Sequence, residues 1–427
     1  MPINWNLTAS SLTNITRHNF RELGKLMNET KSFTLSAIGI QSLGLGDFNQ
    51  RYDLVHIPNM GGYRFPTNAT QHCNNIIFGL SGIDEVIYGK EVMLWKHTWY
   101  IEEPIIKKEI ENWKKYVHKV KSIHVTTKSE FEEMHKYLGI PYEKMKIIPH
   151  GVDHDFFVPS KNKEKTRTNI LLKLKIPDQR YFLHIGEINF VRKNLERLVE
   201  SFGKCRQSGL KHNLLIAGKN TLELKNICND KPGIFLLGWV PNDDLLELIQ
   251  GADAFLLPSI HEGFGMPLVE AMSCGIPCIS SNCHAPPEVI SDSGILINPY
   301  DVSEITNAML SLANNPKLLE ELSEKSLKRS NDFSWKKNAQ QILELYKIDP
   351  NQPMNNFEYF YDLAAYRTLV SVCDFFPDEK QNMILSLLRF DYNDLINWAI
   401  NYGLDNPMSK DFLLPFEEWL VNHSSRN

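Results

Sequence analysis

Short apolar runs alternate along most of the chain with stretches whose apolar residues recur every three or four positions. That alternation predicts α/β units built around parallel sheets. In the first part the pattern predicts strands at residues 32–40, 52–57, 75–80, 92–95 and 122–126, and helices at 16–28, 104–120 and 129–138. A turn-rich stretch, 149–159, and a strongly polar one, 161–168, mark a boundary. A second set begins at Tyr181, with strands at Tyr181–Ile185, Asn213–Ala217, 234–237, Ala254–Leu257, 277–280 and Gly294–Ile297. Helices are predicted between and after them at 195–206, 243–251, 267–273, 286–291, Val302–Asn314, 316–331 and Trp335–Tyr346. This order is that of a doubly wound domain. After Asp349-Pro350 the alternation stops, and residues 357–373, 378–388, 391–402 and 414–421 read as helices broken by Pro377, Gly403 and Pro407. The expected domains are therefore 1–160, 161–350 and a helical extension, 351–427.

A chain of 427 residues can bury large cores without disulfides or structural metal. Its net charge of −5 gives no global electrostatic reason to bind nucleic acid. The charge is uneven, since residues 351–427 hold eleven acidic and only five basic side chains, together with fourteen aromatics. That segment reads as a separate unit and a candidate protein-partner surface. The seven scattered cysteines suit a reducing compartment. No basic stretch precedes an apolar one at the N-terminus, and no apolar run reaches membrane-spanning length. The expected location is the cytoplasm. The amphipathic stretch 104–121, with Lys107, Lys108, Lys114, Lys115 and Lys119, leaves open a peripheral contact with the inner face of a membrane. The commoner arrangement for such a stretch is a helix packed on its own sheet.

The most informative segment runs from Phe255 to Pro277, FLLPSIHEGFGMPLVEAMSCGIP. A buried strand ends at Pro258, a loop carries Gly263 and Gly265, and a helix opens with Pro267 in its first turn. The amides of Phe264, Gly265 and Met266 then lie at a helix N-terminus, where backbone N–H groups and the helix dipole bind anions. Glu262 and Glu270, eight residues apart, flank that anion site and suit hydroxyl-rich groups on either side of it. A second segment, HIGEINFVRKNLERL from His184, sends a strand into a loop with Arg192 and Lys193, and Asn194 is placed to cap the following helix. Two cations there form a candidate diphosphate site. Cys274, Cys278, Cys283 and His284 do not have paired zinc-ligand spacing and read as buried thiols beside an ordinary histidine.

The Phe255–Pro277 segment resembles the E-x7-E motif of retaining GT-B glycosyltransferases, in particular glycosyltransferase family four. The flanking ISSNCHAPPEVI from Ile279, GILINPYD from Gly294 and LGWVPNDDLL from Leu237 are similar to the family's following elements and base-contacting loop. The similarity covers residues 140–346, is weak before them and does not reach the extension. It implies two facing Rossmann-like domains and transfer of a sugar from a nucleotide-diphosphate sugar, UDP- or GDP-linked, to a hydroxyl of a glycan or lipid-linked saccharide. It also implies retention of anomeric configuration. Carried over, Glu262 meets the donor sugar and Glu270 the ribose. Gly186, Arg192, Lys193, Gly263 and the amides of Phe264, Gly265 and Met266 surround the phosphates and sugar, and the backbone of Trp239 and Val240 meets the base. Arg192, Lys193 and Glu262 are the expected catalytic groups, joined by either His97 or Asp84 from the first domain. Gly151-Val-Asp153 matches a family sequence at the domain junction. One departure is Glu187, where many members carry an arginine; Lys219 is a candidate replacement. No Asp-x-Asp motif appears in the donor segments, so neither a metal nor another cofactor is expected. Two other readings share the architecture, a nucleotide-sugar epimerase and a non-catalytic nucleotide-sugar-binding scaffold.

Overall fold

The computed structural model describes residues 55–61, 65, 76–88, 103–186, 191–218, 222–229 and 231–346. His97, Glu187, Lys219, the strands expected at 32–40 and 92–95, the helix at 16–28 and the whole 351–427 extension lie outside the described residues.

Two parallel sheets organise the chain. The first has the order β1-β2-β3-β4, from Val55–Gly61, Ile76–Ser81, Val120–Val125 and Met145–Ile147. All of its neighbouring strands pair in parallel. Its core joins Phe65, Phe78, Leu80, Ile123 and Val125 to Trp113, Val117, Met134 and Leu138 from the covering helices. Trp113 is fully buried and packs edge-on against Phe65 and Phe78. The Glu103–Tyr116 helix therefore spends its apolar stripe, Ile106 and Trp113, on its own sheet, while Lys108, Lys114 and Lys115 face water. That is the second of the two readings of this stretch. Among the described residues no helix is long and apolar enough to cross a membrane.

The second sheet has six parallel strands in the order β10-β9-β8-β5-β6-β7. These are Gly294–Ile297, Cys278–Ser281, Ala254–Leu257, Tyr181–Ile185, Asn213–Ala217 and Ile234–Gly238. The order reverses between β5 and β8, where Phe182 pairs with Ala254 and Leu183 with Phe255. In such sheets ligands bind beyond the carboxyl ends of the strands at the reversal. One core cluster lies on each face. Leu183, Leu215, Phe255 and Leu257 pack with the Met266–Ser273 helix on one side. Phe182, Leu214, Ile216 and Leu256 pack with the Leu195–Gln207 and Val302–Asn314 helices on the other.

The sequence pattern misses four short elements. Residues 161–168 read as a polar linker, yet Asn162 caps a helix at Lys163–Lys173 by accepting from the Lys165 amide. Its buried pair, Ile170 and Leu171, sits near its end, so its first turns carry no apolar signal. β4 is three residues long and buries only Met145. The helices Asp84–Tyr88 and Leu222–Cys228 are too short to show a period.

Gly151-Val-Asp153 crosses between the sheets. Val152 bridges to Ser334, and a Cβ on Gly151 would come within 2.1 Å of the Trp335 amide nitrogen. The two domains also meet directly. The Glu288 carboxylate accepts from the amides of Lys128 and Ser129, both at 2.7 Å, at the start of the first domain's Lys128–Leu138 helix. It thus supplies a helix-capping anion from the opposite domain. Glu288→Ala should weaken domain closure by about 1–2 kcal/mol. Small-angle scattering of the ligand-free chain checks this, with a larger radius of gyration expected for the variant.

Candidate active site

The β5 and β8 loops meet where the strand order reverses. Ile260 N donates to Arg192 O at 2.7 Å, and Arg192 Nη1 donates to His261 O at 3.1 Å. This stitching brings together Arg192, Lys193 and Glu262, three of the residues expected to act together. Lys193 Nζ donates to Glu262 Oε1 at 2.7 Å, and Arg192 Nη1 lies 3.2 Å from Glu262 Oε2. The Lys193 and Glu262 side chains are only 6% and 8% exposed, so the pair is almost dry. Burial alone raises the Glu262 pKa, but Lys193 and Arg192 outweigh it and hold the carboxyl down at about 2.

Asn194 stands at the helix start, as expected, but does not cap it. It adopts the left-handed conformation at φ 59°, and its side chain donates to Pro258 O at 2.9 Å and Pro299 O at 2.6 Å. The amide nitrogen fixes the β5 loop to the β8 and β10 ends, and its Oδ1 accepts from Arg197 Nη1 at 3.0 Å rather than from the helix amides. Gly186 follows β5 where a Cβ would approach His184 Nε2 to 2.8 Å. His184 is buried, with Nδ1 2.7 Å from Leu256 O, and burial lowers its pKa to about 4. It is therefore neutral.

Gly265 precedes the Met266–Ser273 helix at φ 88°, and Pro267 occupies the first turn. Among the described residues none accepts a hydrogen bond from the amides of Phe264, Gly265 or Met266. Phe264 itself is buried and packs edge-on against His150 and Phe333, at 5.1 and 5.6 Å between ring centres. Glu270 keeps part of its surface open, yet the surrounding protein strips enough hydration to push its pKa up to about 7. Trp239, beyond β7, is 49% exposed, whereas Val240 is buried in the core.

The first domain closes over this loop. Thr127 Oγ1 donates to Gly263 O at 3.1 Å. Glu130, buried beneath it, accepts from the Thr126 amide at 2.9 Å and the Gly82 amide at 3.3 Å. Burial pushes the Glu130 pKa up to about 7 against the pull of those bonds. A Cβ on Gly263 would lie 2.4 Å from Glu130 Oε1, part of a carboxylate that the Thr126 and Gly82 amides hold in place. Gly263→Ala should therefore cost about 1–3 kcal/mol. Thermal melting checks the cost, and small-angle scattering should show the cleft forced open.

Asp84, at the start of its short helix, reaches the same cleft. Its Oδ1 lies 3.0 Å from His261 Nδ1, and its Oδ2 lies 3.9 Å from Arg192 Nε. Of the two first-domain candidates it is the one within the described residues. His261 also meets Glu133, with Nε2 3.3 Å from Oε1, and His284 Nδ1 lies 2.9 Å from that oxygen. Burial lowers the His261 pKa, but Asp84 and Glu133 outweigh it and raise it to about 10. No sequence spacing encodes this network. Glu130 and Glu133 lie on a helix legible only as amphipathic, and they meet the histidines through tertiary folding. Cys274 and Cys278 are buried, Cys278 Sγ donates to Leu268 O, Cys283 is half-buried, and burial pushes the Cys274 thiol up to about 12.

Residues 166–329 match the family Glycosyl transferases group 1. The chain is 32% identical over 186 residues to the O-antigen chain mannosyltransferase B of Escherichia coli, covering 42% of this chain and 49% of that protein. It is 25% identical over 335 residues to the MMP alpha-(1->4)-mannosyltransferase of Mycolicibacterium hassiacum, covering 75% of each. The chain thus spans about half the length of the first of these relatives. Among solved structures it is similar to Alr3699/HepE of Anabaena in complex with UDP and glucose. That match has a TM-score of 0.54 and 15% identity, covering 69% of this chain and 77% of that one.

Proposed function

We propose that this chain, which has the GT-B fold and whose residues 166–329 match glycosyl transferases group 1, moves a sugar from a nucleotide-diphosphate sugar to a hydroxyl acceptor, with retention of anomeric configuration. The observation that carries the reading is the meeting of Arg192, Lys193 and Glu262 at the carboxyl ends of β5 and β8, beside the loop amides of Phe264, Gly265 and Met266.

In this reading the donor's diphosphate replaces Glu262 as the partner of Lys193 and Arg192. Glu262, released, accepts hydrogen bonds from the sugar. The two cations and the loop amides then stabilise negative charge as it grows on the departing nucleotide. Glu270 takes the ribose hydroxyls, and the Trp239–Val240 backbone takes the base. Asp84 works from the acceptor side, orienting Arg192 across the cleft. Closure of the first domain onto Gly263 keeps water from the donor. The acceptor is a glycan or lipid-linked saccharide. Both curated relatives described above are named mannosyltransferases, so mannose is the first sugar to offer.

A thermal-shift panel of UDP, GDP and ADP with their mannose and glucose conjugates tests the donor site. One base should stabilise the chain, by about 2.7 kcal/mol at a hundredfold excess over its dissociation constant. No stabilisation by any of them overturns the reading.

The elevated pKa of Glu270 makes a separate prediction. Ribose hydroxyls donate to the ionised carboxylate, so binding favours the charged form and releases a proton. Affinity should therefore fall as pH drops below about 7, by up to about tenfold per unit. Calorimetry in buffers of different ionisation enthalpy measures the released proton, and Glu270→Gln should remove both effects.

A further inference from the structure

We propose that Glu133, His261 and His284 form a binding site for a divalent transition-metal ion, zinc in the first instance, that ties the two domains together. The three side chains offer one ligand atom each, and these atoms lie within 4.8 Å of one another. Glu133 Oε1 stands 3.3 Å from His261 Nε2 and 2.9 Å from His284 Nδ1. In a tetrahedral site with bonds of about 2.0–2.1 Å, ligand atoms are separated by about 3.3 Å. Glu133 Oε1 already stands at that spacing from His261 Nε2 and needs to draw only a few tenths of an ångström away from His284 Nδ1.

The groups behind the ligands fit the same assignment. A metal-bound histidine characteristically engages a carboxylate or another polar group through its second nitrogen, which fixes the ring and its tautomer. Here Asp84 Oδ1 stands 3.0 Å from His261 Nδ1, and Tyr88 Oη stands 3.3 Å from His284 Nε2. Tyr88 thus meets the His284 ring by a hydrogen bond and Asp84 faces the His261 ring as an ion-pair partner, and the other nitrogen of each ring is turned to Glu133. Glu133 Oε2 is buried with no hydrogen-bond partner, an orphaned acceptor that a cation satisfies. Two imidazoles and one carboxylate suit zinc and its neighbours, whereas magnesium and calcium favour oxygen sets. His284 is 26% exposed, which leaves a route in and a position for a water as fourth ligand.

The ligands come from both domains. Glu133 lies on the first domain's Lys128–Leu138 helix, and the histidines lie on loops of the second. A bound ion therefore holds the closed arrangement. It replaces the proton that His261 otherwise carries between the carboxylates, so binding releases protons.

The test uses the full, tag-free chain stripped with EDTA. Calorimetric titration with zinc chloride should give one ion per chain and a rise in melting temperature, with no comparable response to magnesium chloride. Glu133→Gln and His284→Asn should each weaken zinc binding at least tenfold. Asparagine is chosen because His284 sits at φ 58°, a conformation asparagine tolerates. Cobalt chloride added to the unmodified chain should give the visible absorption of four-coordinate cobalt, a readout that does not depend on either variant folding. No zinc binding by the parent, binding by both variants as tight as the parent's, or no four-coordinate cobalt spectrum overturns the proposal. Donor binding is read separately from the nucleotide panel, so failure here leaves the proposed activity standing, and failure there leaves the metal site standing.

Discussion

Glu262→Ala should reduce sugar transfer on the order of a thousandfold while binding of the nucleoside diphosphate survives or tightens. The two halves of this result come from one arrangement. In the ligand-free chain the Glu262 carboxylate occupies Lys193 and Arg192, so under the proposed function it competes with the diphosphate for the same cations. Removing it leaves those cations free for phosphate but leaves the donor sugar without its carboxylate. The variant should also be less stable without ligand, because truncating one member of a buried ion pair costs about 3–5 kcal/mol. Diphosphate should restore much of that loss by pairing the stranded lysine. Glu262→Gln, which keeps the shape without the charge, separates packing from electrostatics. Initial rates with saturating acceptor, beside calorimetry with nucleoside diphosphate alone, make the measurement. Parental activity in the alanine variant removes Glu262 from the mechanism.

Lys193→Ala should have the next largest effect, with the opposite signature. Loss of a charge-assisted hydrogen bond of about 1.5–3 kcal/mol should weaken nucleoside diphosphate binding between about tenfold and a hundredfold. The corresponding nucleoside should bind unchanged. Transfer should fall further than ground-state affinity, since the lysine faces charge that grows as the nucleotide leaves. Equal losses for diphosphate and nucleoside would mean that the substitution disturbs the loop as a whole. Arg192→Ala makes a useful companion. Arg192 also donates to His261 O and faces Asp84, so its loss should disturb loop geometry as well as phosphate binding.

The second domain was legible almost strand by strand, because its sheet is buried on both faces and each strand is a continuous apolar run between clear helices. The two loops of the proposed donor site were legible for a related reason. Gly263, Gly265 and Pro267 are punctuation that a strand-to-helix turn requires, and Arg192 and Lys193 precede a helix start. Asn194 shows where such reasoning stops. Its position at the helix start was right, but its side chain serves Pro258 and Pro299, whose proximity depends on strand order across the sheet. The Glu133, His261 and His284 cluster was illegible for the same reason on a larger scale. Glu133 stands 128 residues from His261 and 151 from His284, in the other domain, so no local spacing encodes their meeting. His284 stands out in the sequence only beside Cys274, Cys278 and Cys283, of which the first two are buried and the third half-buried. The Lys163–Lys173 helix escaped because most of its surface is wet, and amphipathic periodicity is a record of what a helix buries.

The carboxylate that Glu288 offers to the Lys128 and Ser129 amides makes those two N–H groups reporters of time. Neither is protected by its own domain, since a helix leaves its first amides without internal acceptors. Each separation of the domains exposes both to deuterium at once. Their exchange relative to the core amides of β5 and β8 should therefore count openings per second. If donor binding precedes closure, that count should slow when the nucleotide is added and slow again with the acceptor, giving the order of the catalytic cycle without observing a single turnover.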